Sequence, residues 1–323
     1  MMEMWELKCK IADSRPFNAH HDITFVALDA IFAAGFGHPK AESNTVQRLH
    51  AVSQWNPVLS EDIDKPVSFP EADVPDVFSA TLTLANSVTD TQLSPAPYLT
   101  SWVMRKFPFM KKAKAIKDKY IGGKVDEAVQ LINSGDNNPT TALHSVLLRE
   151  RDVAKKEGRP PDYRSPAIAD EFFGFTLAGH NTSATTIAWG VKFLADNQPI
   201  QSRLRADICK VLPDAADAKR TPTYHELTKA HIPYLDAFIE EVLRYANTIA
   251  FVVRTAQHDT TVLGRQIPKG TDVFLMANGA SYLEPNIPLP DSIRSAGARP
   301  SQGKTSPPYG MTTTSPRSNQ SGG

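Results

Sequence analysis

A long and nearly uncharged run from Phe172 to Ala195 constrains the fold of this chain more than any other segment. Lys192 is its single charged residue, and its apolar residues recur on every side of a helix instead of forming one stripe. This pattern predicts a helix that is buried within a large protein. The middle of the run, Ala178 to Ser183, is small and polar instead, which lowers helix propensity and places hydroxyls in apolar surroundings. We therefore expect a ligand to lie against this segment.

Two residues of the polar segment are candidates for contact with that ligand. Gly179 has no side chain, so a flat ligand could approach the backbone there. Thr182 has a hydroxyl that can either bond back to its own helix or face the ligand. The length of the run would also suit a membrane span, but its His, Asn, Lys, Ser and Thr residues argue against that interpretation.

The order Ala178-Gly179-x-x-Thr182-Ser183 within an apolar helix resembles the oxygen-activation motif of cytochrome P450 monooxygenases. The resemblance implies a mainly α fold, a partial cytochrome P450 fold with a small β-sheet. It also implies haem as the cofactor, with the central helix, here residues 166–197, crossing one face of the haem. We predict this helix to be the most buried element of the fold.

The same resemblance implies catalytic roles for Ala178, Gly179, Asn181 and Thr182. Thr182 would help to relay protons for O–O cleavage, a positioned proton transfer. Asn181 stands where most family members have Asp or Glu. Because an amide donates and accepts hydrogen bonds but does not titrate, proton delivery at this position would need a route through water.

A second motif lies on a predicted amphipathic helix over residues 233–245, which begins with Pro233 in its first turn. Glu241 and Arg244 stand at i and i+3, so they share a face and can pair. Alone, such a pair is a common surface feature of small energetic value. After the Pro-Tyr-Leu that opens the helix, it resembles the family's Glu-x-x-Arg pair, which implies a buried, structural role in the haem-binding core.

The segment that follows alternates in strand fashion around turn residues and predicts short strands over 251–256, 260–263 and 273–276. Its Ile-Pro-Lys-Gly-Thr run, residues 267–271, resembles the small sheet of the same family. Arg254 matches the strand arginine that binds a haem propionate through a charge-assisted bond. Three motifs in the family's order make a chance resemblance a poor explanation.

The resemblance also implies a cysteine thiolate that holds the haem iron, in a Phe-x-x-Gly-x-Arg-x-Cys-x-Gly loop near the C-terminus. The chain has two cysteines, Cys9 and Cys209, and neither has this loop around it. We therefore predict no metal ligand here and expect a chain truncated at both ends and inactive as a monooxygenase. The alternative is a non-catalytic, haem-free helical remnant or interaction protein.

Composition divides the chain into two parts. Residues 1–286 form the predicted partial cytochrome P450 domain, with the specific motifs between 165 and 282. Residues 287–323 are dominated by Pro, Ser, Gly and Thr without apolar periodicity, which predicts a disordered tail. Because the family continues toward a Pro-Glu-Arg segment, our hypothesis for this tail is a frameshift or a wrong exon boundary.

Charge and cysteine content restrict the partners. With 35 basic and 35 acidic residues there is no electrostatic case for nucleic acid. Two cysteines exclude a disulfide framework. The resemblance implies an apolar small-molecule substrate, dioxygen and an NADPH-dependent reductase. Full-length members often carry an endoplasmic-reticulum membrane anchor; we expect none in this chain, and its localisation stays open.

The basic cluster over residues 105–119 is interpreted as a solvated helix face, with a reductase or membrane contact as the alternative. Helix signals elsewhere are amphipathic periods bounded by Gly and Pro. They predict helices over residues 17–36, 76–88, 102–132 with a break near Pro108, 140–156 and 199–212.

Overall fold

The computed structural model describes residues 1–92, 94–249 and 251–277. Its described part is mainly helical with two small antiparallel sheets, so the predicted fold class is confirmed. The chain divides into two compact units, Met1–Ile232 and Pro233–Gly323. The domain boundary predicted at residue 286 and the tail predicted over 287–323 lie outside the described residues.

The first unit is built from helices, one 3-10 turn at Lys40–Glu42 and a long connection over residues 54–75. Its break between the fifth and sixth helices lies at Phe107, immediately before Pro108, as the proline signal predicts. The helices are α1 Met2–Ala12, α2 His20–Phe36, α3 Asn44–Ser53, α4 Asp76–Gln92, α5 Pro97–Met104, α6 Pro108–Asn133, α7 Ala142–Glu157, α8 Pro166–Asp196, α9 Gln198–Val211, α10 Pro213–Asp217 and α11 Tyr224–Lys229.

Helix α2 lies at the centre of the main hydrophobic core. Its Leu28 and Phe32 are almost completely buried, and the ring centroids of Phe32 and Phe78 of α4 are 4.6 Å apart. Phe36 lies 5.6 Å from the ring of Phe172 on α8. Aromatic pairs at these distances add to the free energy gained by burying apolar area. Packing in the core therefore holds α8 against α2 near the N-terminal end of α8.

A buried cluster of charges joins the first three helices. Asp22 of α2 is fully buried and accepts hydrogen bonds from Lys8 Nζ of α1, at 2.7 and 2.8 Å, and from Arg48 Nη2 of α3, at 2.9 Å. Trp5 Nε1 donates to the same carboxylate at 3.0 Å, and Glu71 pairs with Arg48. Burial lowers the pKa of Lys8, while its bond to Asp22 opposes that change. The sequence patterns did not predict this cluster.

The second unit contains α12 Pro233–Tyr245 and two hairpins. Strand β1 Phe251–Thr255 pairs with β4 Asp272–Met276, and Arg254 stands opposite Val273. Strand β2 Thr260–Val262 pairs with β3 Arg265–Ile267. Leu263 and Gly264, which join them, both have positive φ angles, as the tight turns of hairpins require. The predicted helix and strands are present, and β3 is an additional strand.

A charged contact organises the loop that leads from α7 into α8. Glu150 Oε1 accepts hydrogen bonds from Arg159 Nη1 at 2.6 Å and from the backbone N–H of Asp162 at 2.9 Å. These bonds, that of Arg159 first, lower the pKa of Glu150 to about 2 from an ordinary value of 4.5. Because the folded pKa is the lower one, the contact stabilises the loop above about pH 4.5 and is lost as the pH falls toward 2.

We therefore expect the melting temperature to fall between pH 5 and pH 2 by less in Glu150→Gln than in the wild-type chain. Thermal unfolding followed by circular dichroism across that range measures this. Glu157→Gln is the matched control, since Glu157 also binds Arg159, at 2.6 Å, but does not hold the Asp162 backbone. A wild-type pH dependence in Glu150→Gln would show that this carboxylate does not stabilise the loop.

Candidate functional site

The polar segment of α8 presents its residues on two opposite sides. Ala178, Asn181 and Thr182 are exposed, whereas His180 between them is buried. The side that faces the core is a stripe of residues spaced by four, which consists of Phe172, Thr176, His180 and Ala184. Three of the four candidate catalytic residues, Ala178, Asn181 and Thr182, therefore occupy the open side of the helix and not its packed side.

The prediction that α8 is buried on every side is wrong for the described structure. Phe175, Ile187, Trp189 and Val191 are all at least one third exposed. Helix α2 provides the most extensive packing against α8, and α4, α6 and α9 contact it less. Because one neighbouring helix covers mainly one side, the other apolar faces of α8 remain open.

Thr182 uses the first of the two hydrogen-bonding options expected for it. Its Oγ1 donates to the backbone carbonyl of Ala178 at 2.8 Å, within its own helix. This bond occupies the hydroxyl proton and leaves the lone pairs of Oγ1 able to accept a hydrogen bond. Thr186 repeats the arrangement one turn later, donating to the carbonyl of Thr182 at 2.9 Å.

Gly179 has a different role from the one expected. A β-carbon at this position would lie 2.4 Å from Cδ1 and 2.9 Å from Cγ1 of Ile31 on α2, closer than real contacts allow. The missing side chain is therefore needed for the packing of two helices. The interpretation that Gly179 admits a flat ligand is corrected: the neighbouring helix occupies that space.

An open groove runs along α8 on the side of Ala178. It has a volume of about 610 Å³, and Phe175 gives it an aromatic wall. The small side chains at Gly174 and Ala178 leave room above the helix. The other residues that line it are Ala167, Asp170 and Glu171. This groove is the surface on which a ligand can reach Ala178.

The sequence patterns did not assign His180 to either side of the helix. His180 is 2 % exposed, and its Nδ1 lies 2.8 Å from the carbonyl oxygen of Thr176, one turn earlier. The spacing of four from Phe172 through Thr176 could have identified it as a packed position. His180 therefore belongs to the interior side of α8.

Glu241 and Arg244 of α12 form an ion pair with two hydrogen bonds, as predicted for residues at i and i+3. Arg244 Nε lies 2.7 Å from Oε2 of Glu241, and Nη2 lies 2.6 Å from Oε1. The bond to Glu241 raises the pKa of Arg244. However, the two side chains are 32 % and 40 % exposed, so the pair is not the buried pair that the sequence led us to expect.

Arg254 lies in the middle of β1 and is exposed. Its Nη1 donates to the backbone carbonyl of Val253 at 2.9 Å. The other four N–H donors of a guanidinium suit a carboxylate, which such a group binds with two parallel bonds. The position is therefore chemically suited to a propionate, as the sequence implies.

The described residues of α8 fit one face of a haem, and neither cysteine of the chain stands in the loop that the resemblance implies for its iron ligand. Ala178 exposes only a methyl group beside the hydroxyl of Thr182, so a flat macrocycle can approach this part of α8. Cys9 and Cys209 are both exposed and unpaired with each other, on α1 and α9. Across residues 1–92, 94–249 and 251–277 no group of three or more His, Cys, Asp or Glu side chains could hold a metal ion.

Within the described ranges, none of the helices combines the length and the apolar character needed to cross a membrane.

Comparison with known proteins gives a consistent result. The family model for cytochrome P450 matches residues 1–284. Among curated proteins, the cytochrome P450 monooxygenase TRI13 of Fusarium sporotrichioides is 36% identical over 91% of this chain and 52% of its own length. The cytochrome P450 monooxygenase GME11363 of Pestalotiopsis microspora is 32% identical over 94% of this chain and 54% of its own. The chain thus spans about half the length of these relatives.

Solved structures agree on the fold. The haem domain of cytochrome P450DA aligns with 85% of this chain and 53% of its own at a TM-score of 0.51. A mutant of the same haem domain aligns with a TM-score of 0.57. Both are 17% identical in sequence, so they support the fold alone.

Proposed function

The chain belongs to the cytochrome P450 family, and we propose that it is part of a haem-dependent monooxygenase that oxidises an apolar small molecule. Haem is the cofactor of this family. The observation that carries the proposal is the shared open side of α8, where Ala178, Asn181 and Thr182 are exposed together. A plain buried helix would place its polar residues against partners in the core and not on an exposed side.

When bound, haem supplies the activation of dioxygen, for which an NADPH-dependent reductase is the electron source that we propose. Thr182 positions the proton relay through its Oγ1. Because that hydroxyl already donates to the Ala178 carbonyl, Oγ1 accepts a hydrogen bond from a water molecule and holds it beside the reacting site. Asn181 can orient the same water with its amide but cannot release a proton of its own.

The remaining candidate residues have binding and structural roles in this proposal. Arg254 binds a haem propionate through its exposed guanidinium, a charge-assisted contact. Glu241 and Arg244 hold the last turn of α12 through their two hydrogen bonds and take no part in the chemistry. These assignments make Arg254 the residue whose loss should weaken haem binding.

The groove along α8 supports an apolar substrate. Phe175 and Ala178 form the apolar part of the groove, and Ala178 lies one turn from Thr182. The carboxylates of Asp170 and Glu171 line the other end of the groove, about two turns from Ala178. A small molecule that buries an apolar body in this groove would present it to the site through hydrophobic contact.

The iron ligand gives the test of this proposal. Because neither Cys9 nor Cys209 stands in the family's cysteine loop, we expect the 323-residue chain alone not to form a thiolate-ligated haem complex. The measurement is the absorption spectrum of the reduced protein with carbon monoxide, in which thiolate ligation shifts the Soret band to the red. A whole protein that contains this chain and the cysteine loop should show that band and convert an apolar substrate.

A variant with Cys9→Ser and Cys209→Ser serves as the control. If the 323-residue chain gives the shifted band and the double variant loses it, one of these thiolates ligates iron and the expected inactivity is wrong. If the whole protein shows neither the band nor product, the monooxygenase proposal fails.

The second candidate function is a non-catalytic helical protein that binds a partner. The observation in its favour is that many apolar side chains are exposed, among them Trp102 and Phe109. Exposed apolar side chains that lie together are typical of a binding surface. Product formation by the whole protein separates the two candidates, since an inert binding protein forms none.

A further inference from the structure

Two glycines allow α2 and α8 to approach each other closely, and each receives a large side chain from the other helix. Ile31 of α2 occupies the space where a β-carbon of Gly179 would lie. Phe175 of α8 occupies the corresponding space at Gly35 of α2, with its Cε1 3.1 Å from the position of such a β-carbon. We call these two packing interactions the reciprocal glycine contacts.

The spacing of the reciprocal glycine contacts shows that they form one unit. Ile31 and Gly35 are four residues apart on α2, and Phe175 and Gly179 are four residues apart on α8. Residues four apart lie on the same face of a helix, one turn from each other. Because the earlier residue of one helix meets the later residue of the other, the two helices run antiparallel and their contacts match turn for turn.

This arrangement selects one alignment of the two helices. A shift of α8 by one turn, about 5.4 Å, in one direction would place Phe175 against Ile31, two large side chains in one space. The opposite shift would place Gly179 against Gly35 and leave a void. Overpacking and cavities both destabilise a core, so the observed alignment is favoured over its neighbours on both sides.

The contacts lie directly beside the candidate site. Gly179 is adjacent in sequence to Ala178 and three residues before Thr182, and Phe175 also forms a wall of the groove that contains Ala178. The side chain of Ile31 therefore sets the distance of α8 from α2 at the turn where Thr182 bonds to the Ala178 carbonyl.

We propose that Ile31 and Phe175 are positioning residues, whose reciprocal glycine contacts with Gly179 and Gly35 set the height and alignment at which α8 presents Ala178 and Thr182 to the reaction. This inference rests on the proposed monooxygenase function. It assigns to Gly179 the role of receiving Ile31 and not that of contacting the cofactor.

The test adds a methyl group to one helix and removes side-chain volume from the other. Gly179→Ala should push α8 away from α2, because its β-carbon would collide with Ile31. Ile31→Ala should relieve that collision, since the β-carbon of residue 31 would then lie 3.9 Å away, an ordinary contact. The double variant tests whether the two positions act through each other.

Coupling and hydrogen exchange are both measured on the whole haem-loaded protein. We expect Gly179→Ala to lower the product formed per oxygen consumed by about 10-fold, as misplacement of a reacting group does, and to speed amide exchange over residues 176–184. The double variant should return coupling to within about two-fold of the wild type, although it buries less apolar volume than the wild type.

Recovery of coupling in the double variant is the decisive result, because a purely structural role of Ile31 predicts no recovery. If residue 31 contributed only stability, the double variant would couple no better than Gly179→Ala, and the proposal would be overturned. Wild-type coupling in Gly179→Ala would overturn it as well.

Gly123→Ala on α6 is the matched control. A β-carbon there meets nothing within 4 Å, so both coupling and exchange in α8 should stay as in the wild type. If the wild-type protein forms no product at all, the monooxygenase function fails, whereas the exchange of residues 176–184 in the same variants still decides whether the contacts align α8.

Discussion

Thr182→Ala in the whole haem-loaded protein should lower the product formed per oxygen consumed by about 100-fold, the lower end of what a positioned proton transfer contributes. The hydroxyl that donates to the Ala178 carbonyl is lost, and with it the acceptor that we propose for the water molecule of the proton relay. Oxygen consumption should continue because the substitution leaves the backbone of α8 unchanged. Parallel measurements of oxygen uptake, product and peroxide give the coupling.

Thr186→Ala is the matched control for this prediction. Thr186 makes the same bond to its own helix one turn later, at 2.9 Å, so the substitution removes an equivalent hydroxyl outside the motif. Its coupling should stay close to the wild type. Equal losses in Thr182→Ala and Thr186→Ala would assign the effect to helix stability and remove Thr182 from the mechanism.

Asn181→Asp is the companion variant, because it adds the titrating group that most family members have at this position. Coupling should stay the same or improve, since a carboxylic acid can deliver a proton that an amide cannot. A clear loss of coupling would show that the amide itself is required there.

Asp22→Asn should lower the free energy of unfolding by about 3–5 kcal/mol, the usual cost of breaking a buried ion pair. The carboxylate is fully buried and is shared by Lys8 and Arg48, which are each 2 % exposed. Arg48 keeps its pair with Glu71, whereas Lys8 would lose the carboxylate that pairs with it. Urea unfolding followed by circular dichroism measures the change.

The pH dependence gives this prediction a specific signature. Burial lowers the pKa of Lys8 and its contacts with Asp22 raise it, so the substitution should lower that pKa further. A lowered folded pKa means that stability is regained as the pH rises toward the ordinary value of 10.5, where Lys8 becomes neutral in both states. The difference between variant and wild type should therefore shrink from pH 7 to pH 10.

Asp196→Asn provides the control for the buried cluster. Asp196 pairs with Lys192 at 2.7 Å on the surface of α8, where both side chains are more than half exposed. Exposed pairs of this type contribute less than about 1 kcal/mol. A loss in Asp22→Asn as small as that in Asp196→Asn would show that the buried cluster does not stabilise the fold.

Local patterns in the sequence were sufficient to predict most of the elements. Helices α8 and α12 begin at Pro166 and Pro233, as the proline signals predict. The predicted ranges agree with the structure within about a residue. The Glu241–Arg244 contact also follows from local geometry, since residues at i and i+3 of a helix meet whatever surrounds them. The oxygen-activation motif likewise indicated the family, which the comparisons then showed.

Burial could not be predicted in the same way, because it depends on which element covers a face. The apolar residues around α8 predicted a helix buried on all sides, but α2 covers mainly one side, and Ala178 and Thr182 stay exposed. The charged cluster around Asp22 was missed for the same reason: Lys8, Asp22 and Arg48 are far apart in sequence and meet only when α1, α2 and α3 pack.

Gly179 shows most clearly what the sequence predicts and what only the tertiary structure decides. From the sequence by itself, a glycine in a buried helix indicates only that something approaches the backbone closely, and a flat ligand was the expected partner. The tertiary structure decided that the partner is Ile31. The physical reason is that helix periodicity determines which residues share a face, whereas the contact on that face depends on a second helix more than a hundred residues away in the chain.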